Sequence, residues 1–166
     1  MRALLPFVLV LAACQPNATL TSGQTYRDPT AIIASKADFD LTAFAGDWHE
    51  VARFPGSAGC AGAQVRFTMS GTAALRQTVR CSYGSSSEGT VQVAPLGRLI
   101  IADASGSAPV WVLWADTGYR TAILVSPDGT GGQILNRTPA LPVDRLRAAL
   151  EVLDFNGFDS GALVFP

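Results

Sequence analysis

Gln64-Val65-Arg66-Phe67-Thr68-Met69-Ser70-Gly71-Thr72 and, two alanines later, Leu75-Arg76-Gln77-Thr78-Val79-Arg80-Cys81-Ser82 decide the fold. In the first run Val65, Phe67 and Met69 alternate with Gln64, Arg66 and Thr68. In the second, Leu75, Gln77, Val79 and Cys81 alternate with Arg76, Thr78, Arg80 and Ser82. Successive side chains of a β-strand point to opposite faces, so each run reads as a strand with one dry face and one wet face. Ser70-Gly71-Thr72 is the turn between them.

The rhythm continues outward from this pair. Residues 85–89 form a second turn, after which Val91 and Val93 share a face. Pro95 and Gly97 break the next boundary, and Leu99 and Ile101 carry the apolar set on. Short alternating runs at this spacing belong to an all-β sandwich or barrel. Further along, Val110-Trp111-Val112-Leu113-Trp114 and Ala122-Ile123-Leu124-Val125 are apolar on both faces. Such strands need cover outside as well as inside. Residues 142–155 supply it. There Val143, Leu146, Leu150 and Leu153 recur at helical spacing, and Asp144, Arg145, Arg147 and Glu151 fall mostly elsewhere. Pro142 suits a first turn and Asn156-Gly157 a stop. A dimer patch would also cover two-faced strands, and the sequence alone does not separate the two. The expected architecture is an all-β, eight-stranded antiparallel up-and-down β-barrel, with a C-terminal α-helix packed outside and a short final strand over residues 162–165.

Gly46-Asp47-Trp48-His49-Glu50-Val51-Ala52-Arg53-Phe54-Pro55 resembles the Gly-x-Trp opening of lipocalins, most closely the bacterial and plant lipocalins with their Gly-x-Trp-Tyr-Glu-Ile-Ala-Arg strand; with the lipobox resemblance at residues 11–14, the bacterial outer-membrane lipoprotein type is expected. Phe39-Asp40-Leu41 to Phe44-Ala45 resembles that family's short 3₁₀ approach to the barrel base. Asp116-Thr117-Gly118-Tyr119-Arg120-Thr121-Ala122 is similar to its Thr-Asp-Tyr region. Ile134-Leu135-Asn136-Arg137-Thr138-Pro139 is similar to the block bearing its arginine, and Gly157-Phe158-Asp159 to the end of its helix. The resemblance implies a structural motif of Gly46, Trp48, Asp116, Tyr119 and Arg137, with the Arg137 guanidinium stacked on Trp48 across the closed end. His49 stands where Tyr is usual. The first loop, residues 56–62, is shorter than many in the family and is built of Gly, Ala and Ser around Cys60.

Parity then assigns the wall of a cavity. With Trp48 inward, Glu50, Ala52 and Phe54 follow. Phe67, Met69, Leu75, Gln77 and Val79 join from the next two strands, and Val91, Val93, Leu99 and Ile101 from the two after. For the sixth and seventh strands parity is ambiguous, and the family register favours Val112, Trp114, Thr121 and Ile123. An apolar lining with a few polar groups is the usual anatomy of a small-molecule site. Each buried methylene is worth about 0.8 kcal/mol, so an acyl chain could bind without polar help. Glu50 must be hydrogen-bonded or protonated inside a barrel. It either orients a ligand headgroup or braces the closed end beside Trp48, and bracing is the expected role. Gln77 is the better headgroup candidate.

Composition removes other classes of function. Lys36 is the only lysine and no cluster of Lys or Arg exists, which argues against nucleic acid. His49 is the single histidine and its parity points outward, so a catalytic triad or histidine metal cluster lacks parts. No catalytic residue, metal site or cofactor is expected, and the chain is not expected to be an enzyme.

The N-terminus reads as an export signal over residues 1–13. Met1-Arg2 is positive, residues 3–10 are apolar but too short to span a bilayer, and Leu11-Ala12-Ala13-Cys14 resembles the bacterial lipobox. The resemblance implies acyl chains of the palmitate kind at Cys14, a stable membrane anchor. Gln15 is not the aspartate that retains enteric lipoproteins at the inner membrane, so an outer-membrane location with the domain facing the periplasm is expected. Residues 14–37 read as the lipidated cysteine and a flexible tether, and residues 38–166 as the lipocalin domain. Cys60 and Cys81 are then an even pair in an oxidising compartment, where a disulfide is the default over two buried thiols. An up-and-down meander places both at the open rim. The expected function is binding, storage or transport of a fatty acid or lysophospholipid-like molecule. The alternatives are an envelope interaction lipoprotein with a filled barrel, or a lipocalin-fold enzyme.

Overall fold

A sheet whose strands alternate dry and wet side chains hides its dry face most completely by closing on itself. In a computed structural model, which describes residues 23–166, the chain does this. The strands are β1 Gly46–Arg53, β2 Gln64–Gly71, β3 Ala74–Arg80, β4 Ser86–Ala94, β5 Arg98–Asp103, β6 Gly106–Ala115, β7 Thr121–Val125 and β8 Gly132–Asn136. Each pairs antiparallel with the next, and β1 with β8, to give a closed up-and-down barrel. The turn before β4 is tighter than residues 85–89 suggested, since Ser86 already pairs with Arg80.

Below β1 the helix α1, Leu41–Phe44, is one α-helical turn where the sequence pointed to a 3₁₀ approach. Asp40 caps it by accepting from the N–H groups of Thr42 and Ala43. The helix α2, Val143–Phe155, covers the barrel outside and buries Ala149 and Leu153. Its first residue, Val143, stays 72% exposed. After a 3₁₀ turn over Ser160–Ala162, the expected final strand is reduced to a single antiparallel bridge, in which Val164 and Arg53 exchange both backbone hydrogen bonds.

The apolar residues divide into two cores. One fills the barrel and contains Phe44, Trp48, Val65, Phe67, Leu75, Val91, Leu99, Val112, Leu124 and Leu135. The other lies between the outer face of the later strands and α2, and contains Phe54, Leu113, Ile123, Val125, Ile134, Leu153 and Phe158. This outer core is why β6 and β7 are apolar on both faces; the covering element is the chain's own helix and its flanks.

Two β-bulges decide which residues belong to which core. In β1 the register against β8 shifts between Glu50 and Ala52, and in β6 the register against β7 shifts between Val112 and Trp114. A bulge adds a residue to one strand and reverses the facing of everything after it. Ala52 and Phe54 therefore leave the interior for the outer core, and Arg53 takes the interior side. Trp114 likewise moves outside, while Val112 and Ala115 remain in the inner core.

The expected tether also proves partly structural. Residues 25–36 run along the outside of the barrel. Tyr26 is buried and stacks on Phe54 at 4.9 Å, and Arg27 Nε donates to the Asn156 carbonyl. Ala34 N–H donates to Asn156 Oδ1, and Lys36 N–H to the Val112 carbonyl. The signal segment and Cys14 lie outside the described residues.

Candidate functional site at the barrel mouth

The base of the barrel is sealed. Arg137 follows β8 and lies with Cζ 3.7 Å from the centre of the Trp48 ring. Its Nη1 donates to the Asp47 carbonyl, its Nη2 to the carbonyls of Ala43, Phe44 and Ala45, and its Nε to that of Tyr119. Trp48 Nε1 in turn donates to the Phe44 carbonyl at 2.9 Å. Gly46 makes room: its φ is +109° and an added Cβ would lie 3.0 Å from Arg137 Nη1. The turn after β6 supports the guanidinium. Asp116 accepts from the N–H groups of Arg120 and Thr121, and the Tyr119 hydroxyl accepts from the Asp40 N–H at 2.6 Å. Gly46, Trp48, Asp116, Tyr119 and Arg137 thus come together at the closed end.

Above the plug, Phe67, Leu75, Val91, Leu99 and Val112 point inward as expected, but they are 0–1% exposed and pack on one another. They fill the lower barrel instead of lining a space. Val93 packs at the edge of the same core. Met69 has the inward parity, yet it is 43% exposed, because β1 starts opposite Phe67 and leaves nothing beside Met69 to cover it.

The open space is a cavity of about 450 Å³ at the other end. Glu50, Gln77, Val79 and Ile101, all expected in the lining, border it. Val65, Val110 and Leu124 add apolar wall that the sequence reading did not assign to it. The rim is Ser- and Gly-rich: Ser57, Ser87, Ser105, Ser107, Ser126 and Thr130 border it, with Gln133 and Asp103. The lining is therefore shorter and more polar than a full-depth apolar barrel. Cys60 also borders the space and is joined to Cys81 by a disulfide that ties the first loop to the end of β3.

Glu50 is not at the closed end. Its Oε1 accepts the Gly62 N–H at 3.0 Å and lies 3.4 Å from Arg53 Nη1. Burial pushes the Glu50 carboxyl above its ordinary value, opposed by the Arg53 charge and the Gly62 hydrogen bond. Arg53, brought inward by the β1 bulge, also donates to the carbonyls of Ser57 and Ala58 and so holds the first loop. No residue-type signal marks the bulge, so the inward turn of Arg53 and its pairing with Glu50 are not legible in the sequence.

Four expected lining residues lie outside the barrel. Phe54 stacks between Tyr26 and Phe158. Trp114 and Ile123 pack in the outer core. Thr121 donates from Oγ1 to Asn136 Oδ1 at 2.8 Å, and Arg145 of α2 donates to both oxygens. On β7 the inward residues are Ala122 and Leu124, one position away from the expected pair, because the extra residue in β6 changes which β7 side chains face in.

A closed eight-stranded meander with a helix outside, an indole–guanidinium plug below and an open mouth above defines the lipocalin class of barrel. The chain belongs to the family of lipocalin-like domains, whose model matches residues 39–166. No curated protein matches it by sequence. Among solved structures it is similar to insecticyanin from the tobacco hornworm Manduca sexta, with 21% identity, a TM-score of 0.60, and 81% of this chain and 83% of that one covered. It is also similar to apocrustacyanin C2, with 15% identity, a TM-score of 0.63, and 84% and 92% covered. H1 crustacyanin from the lobster Homarus americanus gives 16% identity, a TM-score of 0.61, and 81% and 88% covered. These likenesses are of fold.

Proposed function

We propose that the protein binds a small single-chain hydrophobic or amphiphilic molecule, of the fatty acid or lysophospholipid class, in the mouth of its barrel. It does so as a lipoprotein anchored through Cys14 in the outer membrane, with the barrel facing the periplasm, and it acts by binding without turnover. The observation that carries the reading is the cavity of about 450 Å³. That size lies within the range of small-molecule sites, and the wall combines apolar side chains with a few polar groups. Val65, Val79, Ile101, Val110 and Leu124 offer the apolar part of a ligand a surface, and Glu50, Gln77 and Gln133 offer its polar end partners. The anchor and location rest on the lipobox resemblance at residues 11–14.

Native mass spectrometry of protein extracted from the envelope, followed by titration with a neutral fluorescent alkyl amide, tests the reading. A co-purifying small molecule, or saturable one-to-one uptake of the probe, is expected. An empty protein that takes up no probe overturns it.

The solid lower barrel favours a second reading, an envelope protein whose outer face meets a partner. Under it the mouth cavity stays empty in the same measurement.

A further inference from the structure

The mouth cavity has a sign. Among the described residues its ionisable lining side chains are Glu50 and Asp103, and no Lys, Arg or His borders it. Arg53, the cation beside Glu50, is directed at the first loop, where it donates to the carbonyls of Ser57 and Ala58. It meets Glu50 at Oε1, the oxygen that also accepts the Gly62 N–H. The hydrogen bonds of Glu50 among the described residues all fall on Oε1, and its side chain is 2% exposed, so Oε2 is left as the oxygen that meets the open space. Gln77, 9% exposed, likewise makes no side-chain hydrogen bond among the described residues, and it borders the same space.

No fully enclosed side-chain nitrogen or oxygen among the described residues lacks a partner, so Oε2 and the Gln77 amide both open onto the cavity. Their partner there comes from outside the chain, either water or the polar end of a ligand. Resting on the ligand-binding reading above and narrowing its ligand away from free fatty acids, the geometry points to a ligand whose polar end is an amine, a cationic hydrogen-bond donor. An ammonium offers three donors and no acceptor, which suits Glu50 Oε2 and the Gln77 carbonyl oxygen. A carboxylate end offers Oε2 no donor and places like charge beside Glu50 and Asp103, an arrangement that discriminates against a ligand. Asp103 accepts from the N–H and hydroxyl of Ser105 at the rim, where its charge favours entry of a cation.

Titration calorimetry of the full-length chain with n-decylammonium, n-decanol and n-decanoate at pH 7, each below its micelle threshold, separates the possibilities. The amine is expected to bind at least ~10-fold more tightly than the carboxylate, with the alcohol between them. Glu50→Gln is expected to narrow the gap between amine and carboxylate to about threefold. Asp103→Asn, at the exposed rim, narrows the gap in part and serves as the second variant if Glu50→Gln does not fold. Equal affinities, or tightest binding of the carboxylate, overturn the amine assignment and leave ligand binding standing. No binding of any of the three overturns the ligand-binding reading itself.

Discussion

Arg137 lies 3.7 Å over the ring of Trp48 and at the same time donates to the carbonyls of five residues, 43, 44, 45, 47 and 119. The stacking is one part of its role. The other is to satisfy the backbone of α1 and the β6–β7 turn where these close the barrel. Arg137→Lys retains a cation for the ring but loses the fork. It is expected to destabilise the protein by about 2–4 kcal/mol in urea denaturation, since several carbonyls lose charged donors at once. A change under about 0.5 kcal/mol, the size of a neutral surface substitution, contradicts the account.

Phe54 separates stability from binding. It stacks between Tyr26 and Phe158 outside the barrel, with 0% exposure. Phe54→Ala is expected to cost about 3–5 kcal/mol, as for other large core aromatics. Affinity for a mouth ligand stays within about twofold, a difference under 0.5 kcal/mol. A large loss of affinity from the folded variant places Phe54 in the wall after all.

The Cys60–Cys81 disulfide closes a loop across a sequence separation of 21 residues. Replacing both cysteines by serine is expected to cost about 3 kcal/mol, through the freedom returned to the unfolded chain. Peptide mapping without reduction is expected to recover the two cysteines joined. Equal stability with and without reductant argues against the link.

Two carboxyls give opposite slopes of stability with pH. Burial raises the Asp116 carboxyl, but hydrogen bonds from Thr121 and Arg120 outweigh it, and the net position lies below the ordinary value. Between that lowered value and the ordinary one the unfolded chain binds more protons, so stability is lost as pH falls through the window. Glu50 is raised, so between its ordinary and its raised value the folded chain binds more protons, and stability declines as pH rises. Glu50→Gln is expected to abolish the second slope and keep the first. Melting temperatures across the acid range check both, and an unchanged profile in Glu50→Gln contradicts the assignment.

Residues 25–36 are expected to stabilise the barrel through Tyr26. A chain that begins at residue 38 is expected to melt several degrees lower, since a loss of about 1 kcal/mol shifts a domain of this size by roughly 2–8 °C. An identical melt shows that this segment adds nothing.

The sequence made the barrel legible because alternation at residues 64–82, and apolar runs on both faces further on, follow from local geometry alone. The closed end was legible because Trp48 and Arg137 sit in blocks whose order matches a family. The mouth was less so. One extra residue at Val51 and another at Leu113 reverse every later side chain of their strands, and neither position carries a glycine or other residue that signals a bulge. Phe54 and Trp114 were misplaced for that reason, and Arg53 was missed. Tyr26 did carry a signal: it is the one aromatic among residues 23–36. The filled lower barrel was beyond parity, which tells which way a side chain points and not how deep the space reaches.

Methyl NMR of the full-length chain, titrated with n-decylammonium, tests ligand binding in the mouth most directly. Saturable shifts at Val79, Ile101, Val110 and Leu124, with Ile123 and Leu153 beneath the helix unmoved, are the predicted result. Shifts confined to the outer core, or none at all while the same amphiphile binds elsewhere, would contradict it.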